Sequence, residues 1–427
     1  QVWSGFDGLL FNTDIKFDTE HIRYYSNVSL AGAYKNHAYS LGGKATIYNT
    51  IPQNMYMRTE SDTTKFYGDL KNNEIEFFVE DNININEKLT FYVGGRLHLY
   101  STVGPYKFND EVGRNIELEN GEQTRYEPYF SFASSFSYKL NRKSDLKLGF
   151  SRNIQTVHLA NISSIPLPND IWMMSTPILK PQIGIQGSLG YYRESSLFNY
   201  FFEVFAKKLS NQTIFNVDVD KENESSYSPS LNIDFVDDNI YYEDHFFVGS
   251  GRVYGAEFGI NKVFGDITGG INYTLMKSER SFSNVFDGEW FPDKFDRRHD
   301  LSATLNYKIN KKWESSALFI YATGNTITLP AGRMWIMGTI MNDYAGLNNF
   351  RMPPYHRLDW AINYNITTKY FKKSTLSFSV SNVYNRANPY FIFFKIYKGD
   401  SLYDLDVEAA QVSLFPILPS LSWRVKF

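Results

Sequence analysis

Ser413 to Phe427 reads SLFPILPSLSWRVKF, and its last eight residues sort onto two faces. In an extended chain successive side chains point to opposite sides. Leu421, Trp423, Val425 and Phe427 therefore share one face, and Ser420, Ser422, Arg424 and Lys426 share the other. Such a strand wants apolar surroundings on one side and water on the other. An edge strand of a soluble β-protein has the same pattern. What decides is whether the rest of the chain repeats it, and at what length.

The chain does repeat it. Leu89, Phe91, Val93, Leu97 and Leu99 alternate with Thr90, Tyr92, Gly94, Arg96 and His98. Leu301, Ala303, Leu305, Tyr307 and Ile309 alternate with Ser302, Thr304, Asn306 and Lys308; Leu358, Trp360, Ile362, Tyr364 and Ile366 alternate with Arg357, Asp359, Ala361, Asn363 and Asn365. Soluble strands average about 5–6 residues, and these runs are roughly twice that, the ~9–11 residues a tilted strand needs to cross a bilayer. One face suits lipid, and the other suits a water-filled or protein-filled lumen.

Composition agrees. The 427 residues are 43% hydrophobic and 17% aromatic and contain no cysteine, and mean hydropathy is only −0.37. No segment approaches the ~20 apolar residues of a membrane-spanning helix; patches such as Tyr390–Phe394 are strand-sized. A helical membrane protein is excluded. A barrel is not, because only every second residue of a strand faces lipid. A net charge of −3 argues against a nucleic-acid binder. Without cysteine there is no thiolate metal site, and the seven histidines lack zinc-like spacing. Walker loops, nucleophile elbows, HExxH and dinucleotide turns are missing too. The chain opens at Gln1 without a signal peptide, as a processed or partial sequence would.

Connections alternate between short and long. Short turns are expected near Tyr34–His37, Asn86–Lys88, Leu140–Asp145, Glu194–Leu197, Phe264–Asp266, Asn310–Lys312 and Tyr370–Ser374; long ones are expected near 50–72, 102–123, 158–180, 216–248, 282–296, 325–355 and 399–412. Outer-membrane barrels have short periplasmic turns and long outer loops. With the last strand running down to a periplasmic Phe427, the pattern predicts an all-β transmembrane antiparallel barrel of about sixteen strands. Its first strand would be an upward one at Gly5–Phe17.

Several segments resemble the C-terminal barrel of TonB-dependent receptors, and most closely the subgroup that often carries an N-terminal carboxypeptidase-regulatory-like domain. They are SIPLPNDIWMMSTPILKPQ (Ser164–Gln182), RVYGAEFGINKVFGDITGGINYTLMKSER (Arg252–Arg280), FPDKFDRRHDLSATLNY (Phe291–Tyr307), TGNTITLP (Thr323–Pro330), RMPPYHRLDW (Arg351–Trp360), SNVYNRANPYFIFF (Ser381–Phe394) and the terminal SLFPILPSLSWRVKF. Receptors of this family resemble a barrel of about 22 strands around a plug. The resemblance implies that residues 1–427 form one barrel domain corresponding to the last sixteen strands, with the plug, the TonB-contacting segment and the first strands outside this sequence. It also implies energised import of a scarce nutrient across a Gram-negative outer membrane, with no enzyme activity and no cofactor. The implied partners are the TonB energy-transducing complex, the barrel-assembly machinery, outer-membrane lipid and lipopolysaccharide, and a surface lipoprotein lid. Leu421, Trp423, Val425 and Phe427 would form the assembly signal. A passive sixteen-stranded porin and a receptor-like structural subunit are the alternatives.

Candidate substrate contacts sit where long loops rejoin strands. Asp296, Arg297, Arg298, His299 and Asp300 form one charge cluster, and Arg351, His356, Arg357 and Asp359 form another. Either binds an anion or pins the strand top by local charged hydrogen bonds. Arg297, Arg298 and Arg351, with Trp335 and Tyr344 from the Met-rich loop 325–354, are the candidates. Loop 216–248 is acidic, with Asp218, Asp220, Glu222 and Glu224 opposed by Lys221. Its Asn223 and Pro229 stand where a calcium loop needs Gly and Glu, so that motif is rejected.

Overall fold

The computed structural model describes residues 14–58, 63–65, 70–110, 113–160, 171–215, 246–329, 332–336, 339–343, 346–366, 373–398 and 405–426. The strands that make the wall are β1 (Asp14–Tyr34), β2 (His37–Arg58), β3 (Leu70–Asn84), β4 (Leu89–Val103), β5 (Glu127–Asn141), β6 (Ser144–Gln155), β7 (Gln182–Glu194) and β8 (Phe198–Phe215). They continue as β9 (Phe246–Lys262), β10 (Ile267–Ser281), β11 (His299–Lys308), β12 (Trp313–Ala322), β13 (Tyr355–Ile366), β14 (Lys373–Ser381) and β15 (Leu418–Lys426). Each pairs antiparallel with the next in one seventeen-stranded sheet, whose two other members, Thr63–Lys65 and Phe291–Pro292, are short. Among the described residues β1 bonds only to β2 and β15 only to β14, so the sheet is not closed. No described helix is long and apolar enough to cross a membrane.

The sequence builds the short turns from asparagine and serine side chains that cap their own backbone. Asn86 Oδ1 accepts from Lys88 N and Leu89 N, Asn310 Oδ1 accepts from Lys312 N and Trp313 N, and Asn141 Oδ1 accepts from Lys143 N. Ser195 Oγ does the same for Phe198 N. Six of the seven expected short turns join described strands; the seventh falls largely on 367–372, outside the described residues. At the other end one expectation needs correction. Asp14–Phe17 is no separate upward strand. It is the start of β1, because β2 continues past the expected loop position at 50 to Arg58 and offers Asp14 a partner. Residues 1–13 lie outside the described residues.

Register carries one apolar face through the sheet. Leu97 pairs with Phe130, Leu305 with Ala317, Ala317 with Trp360, and Phe378 with Leu421. On that face Leu421 and Trp423 are 70% and 63% exposed, with nothing among the described residues to cover them. The opposite face holds Glu76, Arg96, Lys207, Thr304, Asp359 and Arg424, the sorting expected of a lipid side and a lumen side.

The buried apolar side chains lie in a loop layer at the long-loop end. Loops fold into hairpins at Tyr106–Asn109/Asn115–Leu118, Val157–Ala160/Ile171–Met174 and Gly332–Ile336/Thr339–Asp343, and at Pro389–Lys398/Leu405–Ser413. The Tyr390–Phe394 patch therefore belongs to a loop hairpin outside the wall. Tyr48, Leu70, Tyr100, Tyr106, Phe108 and Met174 form one cluster, and Phe282, Phe291 and Leu347 form a second.

Candidate functional site

Two charged clusters line the inner face, one rising from mid-wall toward the loop end and one at the loop end itself. The first is built by register. β2, β3 and β4 set Lys44 opposite Glu76 and Glu76 opposite His98, with Thr46 opposite Glu74. Glu74 Oε2 accepts from Tyr48 OH at 2.7 Å, and Glu74 Oε1 lies 2.9 Å from His98 Nδ1. Glu76 takes Lys44 Nζ on one oxygen and Arg96 Nη1 on the other, each at 2.7 Å. The His98 ring then meets Ser131 Oγ at 3.0 Å. Both carboxylates are buried, which is tolerable only because every oxygen has a donor.

Glu74, Glu76 and His98 bring donor atoms within 4.8 Å of one another, a spacing that suits a metal ion. The bonding contradicts that use. All four carboxylate oxygens are taken, two of them by cations, so a divalent ion would have to displace Lys44 and Arg96. The cluster is a charge-balanced network. Beside it opens a recess of about 330 Å³ whose polar lining includes Glu80, Tyr92, Arg96, His98, Ser131 and Asn153. Its chemistry is that of a hydrogen-bonding wall for a polar solute.

The segment after β6 roofs this network. Ser175 O accepts from Tyr100 OH at 2.7 Å and from Asn72 Nδ2 at 3.3 Å, while Met173, Met174 and Leu179 are buried. Asn211 bulges from β8 with positive φ and donates to Pro181 O at 2.8 Å, which fixes the far end of the segment. His158, opposite Met173 in the hairpin, is buried, and neither ring nitrogen finds a hydrogen-bond partner among the described residues. Burial pushes its pKa down to about 4, so it is neutral.

The second cluster ties loops to strand tops. Asp296, fully buried, accepts Ser278 N on Oδ1 and faces Arg298 and Arg351 with Oδ2. Arg351 also donates to the carbonyls of Asp296 and Gly324. Next to it Arg280 binds Asp293 at 2.7 Å, and Thr326 Oγ1 donates to Asp293 O. Gly324 has to be glycine, because a Cβ would run into the Met352 carbonyl. Farther along, Asn382 donates to Arg386 O and Phe415 O, Asn388 exchanges bonds with the His356 backbone, and Asn385 Oδ1 caps Ile417 N.

Of the residues singled out from sequence, Arg298 and Arg351 therefore meet, on Asp296. Arg297 is about half-exposed, donating to Asn325 Oδ1 and lying 3.9 Å from Asp300. Trp335 is in a described loop strand without a described side chain, and Tyr344, Phe427 and the acidic residues from 216 to 245 lie outside the described residues. Sequence reading did not single out Glu74, Glu76 and Lys44. The signal was present: charges repeat at inward positions of neighbouring strands.

Residues 2–383 match a family model described as TonB dependent receptor-like, beta-barrel. Among solved structures, the ferric yersiniabactin uptake receptor FyuA from Yersinia pestis superposes with a TM-score of 0.62 at 12% identity, over 97% of this chain and 55% of that one. The ferric-catecholate import receptor Fiu from K12 E. coli gives 0.55 at 13%, over 97% and 55%. The ferripyoverdine receptor of the outer membrane of Pseudomonas aeruginosa gives 0.58 at 16%, over 91% and 48%. The likeness at these identities is one of fold, and the chain spans about half the length of these receptors. No curated protein sequence matches the chain.

Proposed function

This chain belongs to the TonB-dependent receptor-like β-barrel family, and on that premise we propose that it forms barrel wall in an outer-membrane importer energised through TonB. The long-loop end faces outside and captures a scarce nutrient; the short turns and the end of β15 face the periplasm. Further strands close the sheet between β1 and β15, since unpaired backbone edges are not tolerated in lipid. A plug seals the lumen, and the receptor is of the subgroup with a carboxypeptidase-regulatory-like N-terminal domain. Assembly machinery inserts the wall by its C-terminal strand, and a surface lipoprotein covers the loops.

The observation that carries this reading is the inner face. It carries charged and polar side chains on strand after strand, with ion pairs from mid-wall at Lys44–Glu76–Arg96 up to the loop end at Arg351–Asp296, along the way of a solute arriving from outside. The test is uptake by cells with and without the gene for this protein. Radiolabelled ferric chelates, cobalamin and oligosaccharides are supplied, with and without a protonophore. Gene-dependent uptake that stops when the proton gradient collapses is the expected result. Uptake indifferent to the gradient would mean a passive porin. No gene-dependent uptake of any probe, with tight copurification in an envelope complex, would mean a structural subunit. Intact mass from native membranes is expected to exceed the 49.5 kDa of this chain.

A further inference from the structure

The hairpin that roofs the Glu74 network buries a histidine where an aliphatic side chain would pack as well. His158 is 2% exposed, and both ring nitrogens lack partners among the described residues. Burial without partners costs the ring its hydration with no bond in exchange. Register shows what lies beside it. His158 is directly opposite Met173, and Ser175 N donates to Thr156 O at 2.8 Å, which continues the same pairing. Thr156, His158, Met173 and Ser175 therefore share one face of the hairpin, and Val157 and Met174 share the other. Val157 and Met174 pack into the cluster of Tyr48, Tyr100 and Tyr106. On the His158 face, Thr213 of β8 donates its hydroxyl to Met173 Sδ at 3.6 Å. Ser175 Oγ, next along that face, is buried and has no partner among the described residues either.

Directly opposed residues hold their Cβ atoms about 4.5–5.5 Å apart, so the imidazole and the thioether flank one volume closed to solvent. The ring is neutral, and a neutral imidazole offers the lone pair that a metal ion takes. The donor set selects the ion. Imidazole suits zinc, copper, iron and nickel, and thioether sulfur suits copper(I), so copper is what the two share. Zinc sites draw on imidazole, thiolate and carboxylate, and the chain has no cysteine. Calcium and magnesium need oxygen ligands, and the carboxylates of Glu74 and Glu76 are already taken by Tyr48, His98, Lys44 and Arg96.

We infer that His158 and Met173 bind copper(I) between the paired strands of this hairpin. The single charge of the reduced ion suits a face that carries no carboxylate. With one donor on each strand, the ion ties Val157–Ala160 to Ile171–Met174 and holds the roof together.

This inference rests on the hairpin alone and not on transport. Its test uses the full protein, purified from outer membranes in detergent and stripped of metal. Copper(I), kept reduced with ascorbate under nitrogen, is titrated in competition with the chelator bicinchoninate, and zinc(II) is the comparison ion. Residues that only orient metal ligands are worth about 10–100-fold in affinity, so loss of a donor atom should cost at least about 100-fold. Met173→Leu, which keeps the volume and removes the sulfur, is expected to show that loss, and so is His158→Leu. Met174→Leu, one residue away on the other face, should bind as wild type. Copper-edge X-ray absorption should show sulfur and imidazole around the ion in wild type and no sulfur in Met173→Leu. Hydrogen exchange at Val157–Ala160 should slow when copper(I) is added to wild type or Met174→Leu, and not in the other two variants.

Heat-dependent gel mobility reports the fold; should His158→Leu not insert, Met173→Leu carries the test by itself. No copper(I) binding in wild type overturns the inference and leaves ordered water as the partner of His158. Equal binding by wild type and Met173→Leu overturns it as well. So does a loss in Met174→Leu equal to that in Met173→Leu, or zinc(II) held as tightly as copper(I). None of these measurements involves uptake, so the copper site and the importer reading fail separately.

Discussion

Asp296 and Glu74 are both buried carboxylates at the loop end, but they are held in different ways. Glu74 takes its partners from the strands on either side, Tyr48 of β2 and His98 of β4, which the ladder brings together in any case. Asp296 gathers Ser278 from β10, Arg298 from its own loop and Arg351 from a loop some 55 residues later. In the wall the backbone positions the side chains. In the loop layer the side chains position the backbone. The two regions should therefore respond differently to the same kind of lesion.

The largest effect is expected at Asp296→Ala. It leaves the Arg298 and Arg351 guanidinium groups without their shared counter-charge, a lesion of about 3–5 kcal/mol for buried pairs. Both arginines are part-exposed, so the low end applies. Hydrogen exchange should rise at 290–300 and 346–352 while β10 to β13 stay protected; unchanged exchange in those loops would erase the contrast with the wall.

A second, smaller effect tests the roof over Glu74. His158 has its pKa pushed down to about 4 by burial, below the ordinary 6.5. Above pH 6.5 the imidazole is neutral whether the hairpin is docked or open, and nothing is lost. Below 6.5 the open form takes up a proton that the docked form refuses, so docking weakens as pH falls and levels off near pH 4. At 1.36 kcal/mol per pH unit the loss reaches about 2 kcal/mol by pH 5. Exchange at Val157–Ala160 between pH 7 and 5 measures it, and His158→Leu should flatten the dependence. A flat wild-type profile would mean that the hairpin does not hold the ring in an apolar site.

The smallest effect is expected for Glu74→Gln. The amide keeps an acceptor for Tyr48 and a group for His98, and only the charge assistance goes, about 1 kcal/mol. Denaturant titration followed by tryptophan fluorescence reads the change. A loss as large as that at Asp296 would show that the wall depends on its side-chain network as heavily as the loops do.

Much of the wall was legible beforehand. Leu97, Trp360 and Leu421 lie on the lipid side, and Arg96, Asp359 and Arg424 on the lumen side, as alternation expects. Period two is a local property, and each strand faces the same two solvents. The loop motifs were visible as words whose roles were not. SNVYNRANP holds three asparagines that anchor turns, and FPDKFDRRHD holds two aspartates that receive arginines from elsewhere. Arg298 and Arg351 were named separately from sequence, and Asp296 is what joins them.

What the sequence determined by itself is therefore the one-dimensional part: long two-faced strands, asparagine-capped short turns, and the face on which each side chain lies. A strand's two sides are fixed by the geometry of the peptide unit, so no neighbour is needed to read them. What only the tertiary structure decided is everything transverse to the strands. Arg152, Lys208 and Arg252 are 100 residues apart from end to end, and only register sets them in one row. Slipping one strand by a residue would leave its alternation readable but turn its charge to the other side, because pairing, unlike pleating, is a long-range choice.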